Sequence, residues 1–114
     1  MKKGLHTPWS DVADLLFYAD KQEDNGYGVD EPTKTTVFCN FEDGVSQSEF
    51  YLSMKAGLRA SAQIQIWKAD YAAAFPAGTA GERFVDFAGR HFKVLRDFPQ
   101  DFDTQTLILT EVIR

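Results

Sequence analysis

The chain is poor in the residues that most often carry chemistry. Its one cysteine, Cys39, excludes an internal disulfide. That fits a reducing compartment or simple indifference to redox. Histidine is nearly missing too, with only His6 and His91. No apolar run reaches the roughly 20 residues of a membrane helix. None of signal-peptide length follows Lys2 and Lys3. The chain therefore reads as soluble and made in the cytoplasm. A basic run is also lacking: 12 Lys and Arg face 17 Asp and Glu, for a net charge of −5. Tight nucleic-acid binding depends on Lys and Arg neutralising phosphates, so this balance makes the chain a poor candidate for it. There is no phosphate loop, G-x-S-x-G, H-E-x-x-H or C-x-x-C.

What is present suffices for one ordinary domain, residues 1–114. Of its 114 residues, 44% are hydrophobic and 14% aromatic, enough for a core without disulfide or metal. Residues 1–10 read as a flexible arm. "DVADLLFYAD", 11–20, is ambiguous. Val12, Leu15, Leu16 and Ala19 have helical spacing behind Ser10 as a cap. The unbroken Leu15–Tyr18 run suits a strand buried on both faces, and strand is preferred. Residues 20–33, with Asn, two Gly and Pro32, form a long loop. "TKTTVFCNF", 33–41, is a strand in which Val37, Cys39 and Phe41 alternate with Thr36, Phe38 and Asn40.

A short helix is expected at about 47–56. Ser46 and Glu49 make an S-x-x-E capping box. Val45 and Phe50 hold the staple positions, and Gly57 stands where a left-handed C-cap belongs. So short a helix is marginal alone. Phe50 and Met54, with Tyr51 or Leu58, should pack it against a sheet. "SAQIQIWK", 61–68, sets Ala62, Ile64 and Ile66 on one face and Gln63, Gln65 and Trp67 on the other. A loop is expected at 70–82, a hairpin at 83–98 turning at Ala88-Gly89, and a last strand at 104–113. The fold class is mainly β: a small antiparallel barrel or sandwich of five to six strands, with one short helix and long loops.

Candidate sites are few. His91 reads as an exposed sheet histidine before it reads as a general base. Cys39, flanked in alternation by Val37 and Phe41, reads as a small buried hydrophobe. Asp20, Gln22, Asp24, Gly26 and Glu31 fall at calcium-loop positions 1, 3, 5, 7 and 12. Asn25 occupies the sixth position, where the sharp turn wants glycine, so an acidic solvated loop is the simpler reading. Asp101 and Asp103 could pair as carboxylates but fit a turn better. No catalytic residue, metal or cofactor is expected. Trp9, Tyr27, Trp67 and Phe75 are the candidate partner anchors, with Trp67 equally suited to a core.

The order "TVFCNFEDGVSQSEFYLSMKAGLRASAQIQIWKADY", "FVDFAGRHFKVLRDF", "LILTEV" resembles the head–tail connector family of long-tailed bacteriophages, also called head-closure, head-completion or head–tail adaptor proteins. The resemblance runs from Asp11 to Val112. Its most specific parts are "SEFY" (Ser48–Tyr51) with Gly57-Leu58, "DY" (Asp70-Tyr71), and G-x-x-F-x-V-x-R at Gly89–Arg96. The insert "AAAFPAGTAGER", 72–83, is longer than the usual loop. The resemblance implies a small β-barrel that joins copies of itself in a ring, expected to be dodecameric. The ring would stand between a portal or adaptor ring and tail-side connector proteins. It would extend or close the DNA channel without gripping the passing DNA. The place implied is the head–tail interface of a virion assembled in the bacterial cytoplasm. The rival expectation is an OB-like nucleic-acid or protein-binding module. Its basic set would be Lys68, Arg83, Arg90, Lys93 and Arg96.

Overall fold

The computed structural model describes residues 9–20, 31–55 and 59–112. Most of the amino-terminal arm, and the expected roles of Gln22, Asp24, Gly26, Tyr27, Gly57 and Leu58, lie outside them. The described elements are β1 (Asp11–Ala19), β2 (Thr33–Asp43), α1 (Gln47–Lys55), β3 (Ala62–Trp67), α2 (Lys68–Ala74), β4 (Gly81–Phe87), β5 (Arg90–Pro99) and β6 (Thr104–Glu111). All strand pairs are antiparallel, and they close into a barrel in the order β1-β2-β3-β6-β5-β4. Closure leaves no free sheet edge.

Alternation fills the inside. Ala62, Ile64 and Ile66 of β3, Val37 and Cys39 of β2, Val85 of β4, Phe92 of β5 and Leu107 and Leu109 of β6 all belong to one buried cluster. An eight-stranded barrel is only just wide enough for side chains to fill, and six strands make a narrower one. β1 is the strand buried on both faces that its Leu-Leu-Phe run suggests, since Leu15, Leu16 and Phe17 are all buried. The β1–β4 seam depends on Gly81, which pairs with Ala19. A Cβ there would stand 2.5 Å from the Tyr18 carbonyl oxygen and 2.6 Å from the Phe17 ring.

Two local features set the direction of the polar side chains. The β4–β5 hairpin turns on Ala88 and Gly89 with φ of 52° and 81°. Both are left-handed, as a two-residue hairpin of matching twist requires. An irregularity between Val94 and Arg96 then shifts the register of β5 against β6. Strict alternation from Phe92 and Val94 would turn Arg96 inward. The extra residue sends Arg96 outward opposite Ile108 and Asp97 inward opposite Leu107.

The 70–82 segment departs from the expected loop. α2 follows β3 directly, because "KADYAAA" is rich in alanine, the best helix former. Pro76 and Gly78 follow its end. It packs over β1, β2, β3 and β6. Phe75, next in sequence, is a core residue and not an exposed anchor: it is 5% exposed, edge-on to Phe17 and Tyr71.

α1 forms where its capping signal lies, but only half of the box is made. Ser46 Oγ accepts from the Glu49 backbone N–H at 3.2 Å. The Glu49 carboxylate turns to Arg96 instead of back to Ser46. The expected packing of Met54 and Tyr51 on the sheet is not found. Phe50 is half-buried, yet Tyr51, Leu52 and Met54 are all exposed. The Glu49–Arg96 ion pair ties the helix to β5.

Removing a buried ring costs about 3–5 kcal/mol, and trimming an exposed one is worth less than about 0.5. Urea unfolding of Phe75→Ala is therefore expected to lose stability in the first range. Phe102→Ala, at an 89% exposed position, should stay within the second.

Candidate functional site

Each mouth of the barrel is closed by an arginine. Under α2, Arg83 of β4 points inward and its Nη1 donates to Asp97 Oδ2 at 2.6 Å and to the Tyr71 hydroxyl. Tyr71 donates to the same Asp97 oxygen at 2.8 Å, and Gln105 Nε2 donates to Asp97 Oδ1 at 2.7 Å. The guanidinium also lies over the Phe75 ring, 5.9 Å from its centre. Burial pushes the Asp97 carboxyl upward, but the donations from Arg83, Tyr71 and Gln105 outweigh it and hold the group below its usual range. Burial and the Asp97 bond push the Tyr71 phenol up.

At the other mouth Arg90 forks between two carboxylates. Its Nε and Nη2 meet Glu111 at 3.1 and 2.8 Å, and its Nη1 and Nη2 meet Asp43 at 3.3 Å each. Its plane also lies over Phe92 and Phe41, and Phe41 stacks on Phe87 at 4.1 Å. The bond to Arg90 holds Glu111 below its usual range. These are two-ended plugs of charge over an apolar filling, and no buried side-chain N or O among the described residues lacks a partner.

The expected reactive groups do not converge. Cys39 is sealed inside, and burial, with Asp11 nearby, pushes its thiol up to about 12. A thiol so protonated at neutral pH is no nucleophile. His91 sits on the outer side of the wall, half-buried, stacked on Phe84 at 5.0 Å with Nδ1 2.5 Å from Asp86 Oδ1. Asp101 and Asp103 serve a turn. Asp101 Oδ1 accepts from the Asp103 and Thr104 backbone N–H groups at 3.0 and 3.1 Å and from Thr104 Oγ1 at 2.8 Å. Asp20 and Glu31 are exposed ends of the proposed calcium loop. No group of three or more His, Cys, Asp or Glu among the described residues is placed to hold a metal.

The exposed apolar side chains are the remaining candidates. Trp67 is 45% exposed and stacks on Trp9 with ring centres 4.5 Å apart, so these two anchors form one outward pair. Three further exposed apolar places lie outside the expected anchors. Val12 and Phe38 face each other across β1 and β2 on the outer wall. Tyr51, Leu52 and Met54 form an exposed apolar face along α1, flanked by Ser48 and Lys55. Phe102 stands at the tip of the β5–β6 turn. The outward direction of Phe38 is legible in the alternation of β2. Phe102 is legible too, as an aromatic inside "QDFDT", a turn segment with no core to enter.

Acid should act through the Asp97 plug. A carboxyl held low in the folded state stabilises it above the unfolded value of about 4, and that contribution is lost as pH falls through the lower folded value. Asp97→Asn is expected to cost about 1–3 kcal/mol at pH 7. It should also flatten the fall of stability below about pH 4, measured by urea midpoints across pH. No protein-family model matches the chain, and no curated protein matches it in sequence.

Proposed function

We propose that the chain is a structural virion protein forming a ring between portal and tail, where it extends or closes the DNA channel during head completion. The observation that carries this reading is the division of the molecule into a finished interior and an unfinished exterior. The barrel core is complete and its mouths are plugged by Arg83 and Arg90. Tyr51, Leu52, Met54, Val12, Phe38 and Phe102 nevertheless remain in water. Clustered apolar side chains with no work inside the chain mark surfaces for other proteins. The order and spacing of residues that resemble head–tail connectors support the kind of assembly.

Charge supports it as well. Of the five basic residues available to a nucleic-acid face, Arg83, Arg90 and Arg96 are held by Asp97, by Glu111 and Asp43, and by Glu49. A wall with its cations neutralised and a net charge of −5 does not grip phosphate. At physiological salt any repulsion acts within about 8 Å of the surface, so DNA can slide past it.

The test mixes the purified chain with its own portal ring. Sedimentation and electron microscopy are expected to show a larger complex with an added ring of density. A portal that sediments unchanged at micromolar concentrations of the chain contradicts the reading.

A further inference from the structure

Phe102 is the most exposed large hydrophobic residue described, at 89%. It is not on a slack tip. The turn beneath it is fastened by the three bonds to Asp101 Oδ1, by Gln100 N–H to the Thr104 carbonyl at 2.9 Å, and by Lys68 N–H to the Asp103 carbonyl at 2.8 Å. A ring held out in water on a fixed turn is preorganised as an anchor, because little order has to be imposed when it binds. Asp101 and Asp103 flank it. Lys68, close to Asp101, leaves the turn net negative.

The exposed face of α1 has the opposite character. Ser48, Tyr51, Leu52 and Lys55 are spaced i, i+3, i+4 and i+7, one face of the helix, and Met54 widens it. The carboxylate on this helix, Glu49, is turned away and consumed by Arg96. Lys55 makes no ion pair among the described residues. The face is thus apolar, with a positive charge at one end that is unpaired among the described residues. The turn is an aromatic knob with negative charge beside it.

We propose that Phe102 of one copy packs on the exposed α1 face of a second copy, with Lys55 facing Asp103. The knob and the helix face are different patches, so the contact is heterologous and each copy keeps one of each to offer onward. Such a contact is small and weak between two free chains and gains strength when many close together. It rests on the reading that the chain assembles with itself, and supplies the joint.

The test is disulfide trapping between two single variants mixed without any other protein, Gln100→Cys beside the knob and Ser48→Cys at the edge of the helix face, so that Phe102, Leu52, Lys55 and Asp103 all stay in place. Cys39 is fully buried and stays silent. The mixed disulfide is expected to form several-fold faster than either variant links to itself, and Phe102→Ala added to the knob partner should remove that advantage. Lys55→Glu in the helix-face partner should reduce the yield about three- to fivefold, and Asp103→Lys in the knob partner should restore it. Equal rates for mixed and like pairs overturn the contact. So does a mixed rate that Phe102→Ala leaves unchanged. If wild-type chains build a ring on the portal but no mixed disulfide forms, this joint is wrong and the connector reading stands. If the mixed disulfide forms and the portal is ignored, the joint stands and the connector reading falls.

Discussion

Closure of a narrow barrel over an apolar filling is the constraint from which the rest follows. Six strands leave room for side chains and for nothing else. A barrel still has two mouths, where the filling would meet water. Both are covered by a guanidinium that lies over aromatic rings and is held by carboxylates from inward positions of the wall. The arginine plane shields the rings, and its N–H groups are satisfied by Asp97 and Tyr71 at one end and by Glu111 and Asp43 at the other. Arginine suits the place better than lysine because its plane both stacks and forks.

A filled and plugged interior moves function to the outside. There the chain combines net negative charge, arginines already neutralised by neighbours, and apolar side chains in separate patches. That combination is the basis of the proposal that the chain works through contact with other proteins. α1 fits the same logic. A helix of nine residues is marginal in water, and none of its residues belongs to the buried cluster. It holds an apolar face away from the barrel, and the Glu49–Arg96 ion pair ties it to β5.

Much of this was legible in the residues. Strict alternation in β3 and β2 marks inside from outside, the capping serine marks the start of α1, and Ala88-Gly89 marks the hairpin. Three things were not legible, each for a physical reason. α2 hides because the Ala-rich stretch after Trp67 runs into the loop residues Pro76 and Gly78, while its helix propensity is joined by the burial of Ala74 and Phe75 in the core. The direction of Asp97 hides because one extra residue in β5 reverses the alternation, and no residue type announces a bulge. The exposed face of α1 hides because Tyr51, Leu52 and Met54 carry the pattern of a packing face; the sequence does not say whether the surface that covers it belongs to the same molecule.

If the barrel is closed and complete in the isolated chain, native-state hydrogen exchange resolved by strand will show it. Amides of the β1–β4 seam are expected to exchange only by global unfolding, with the same free energy as those of the β3–β6 pair. Seam amides that exchange through a much cheaper local opening would contradict it, because the interior would then be an accessible groove.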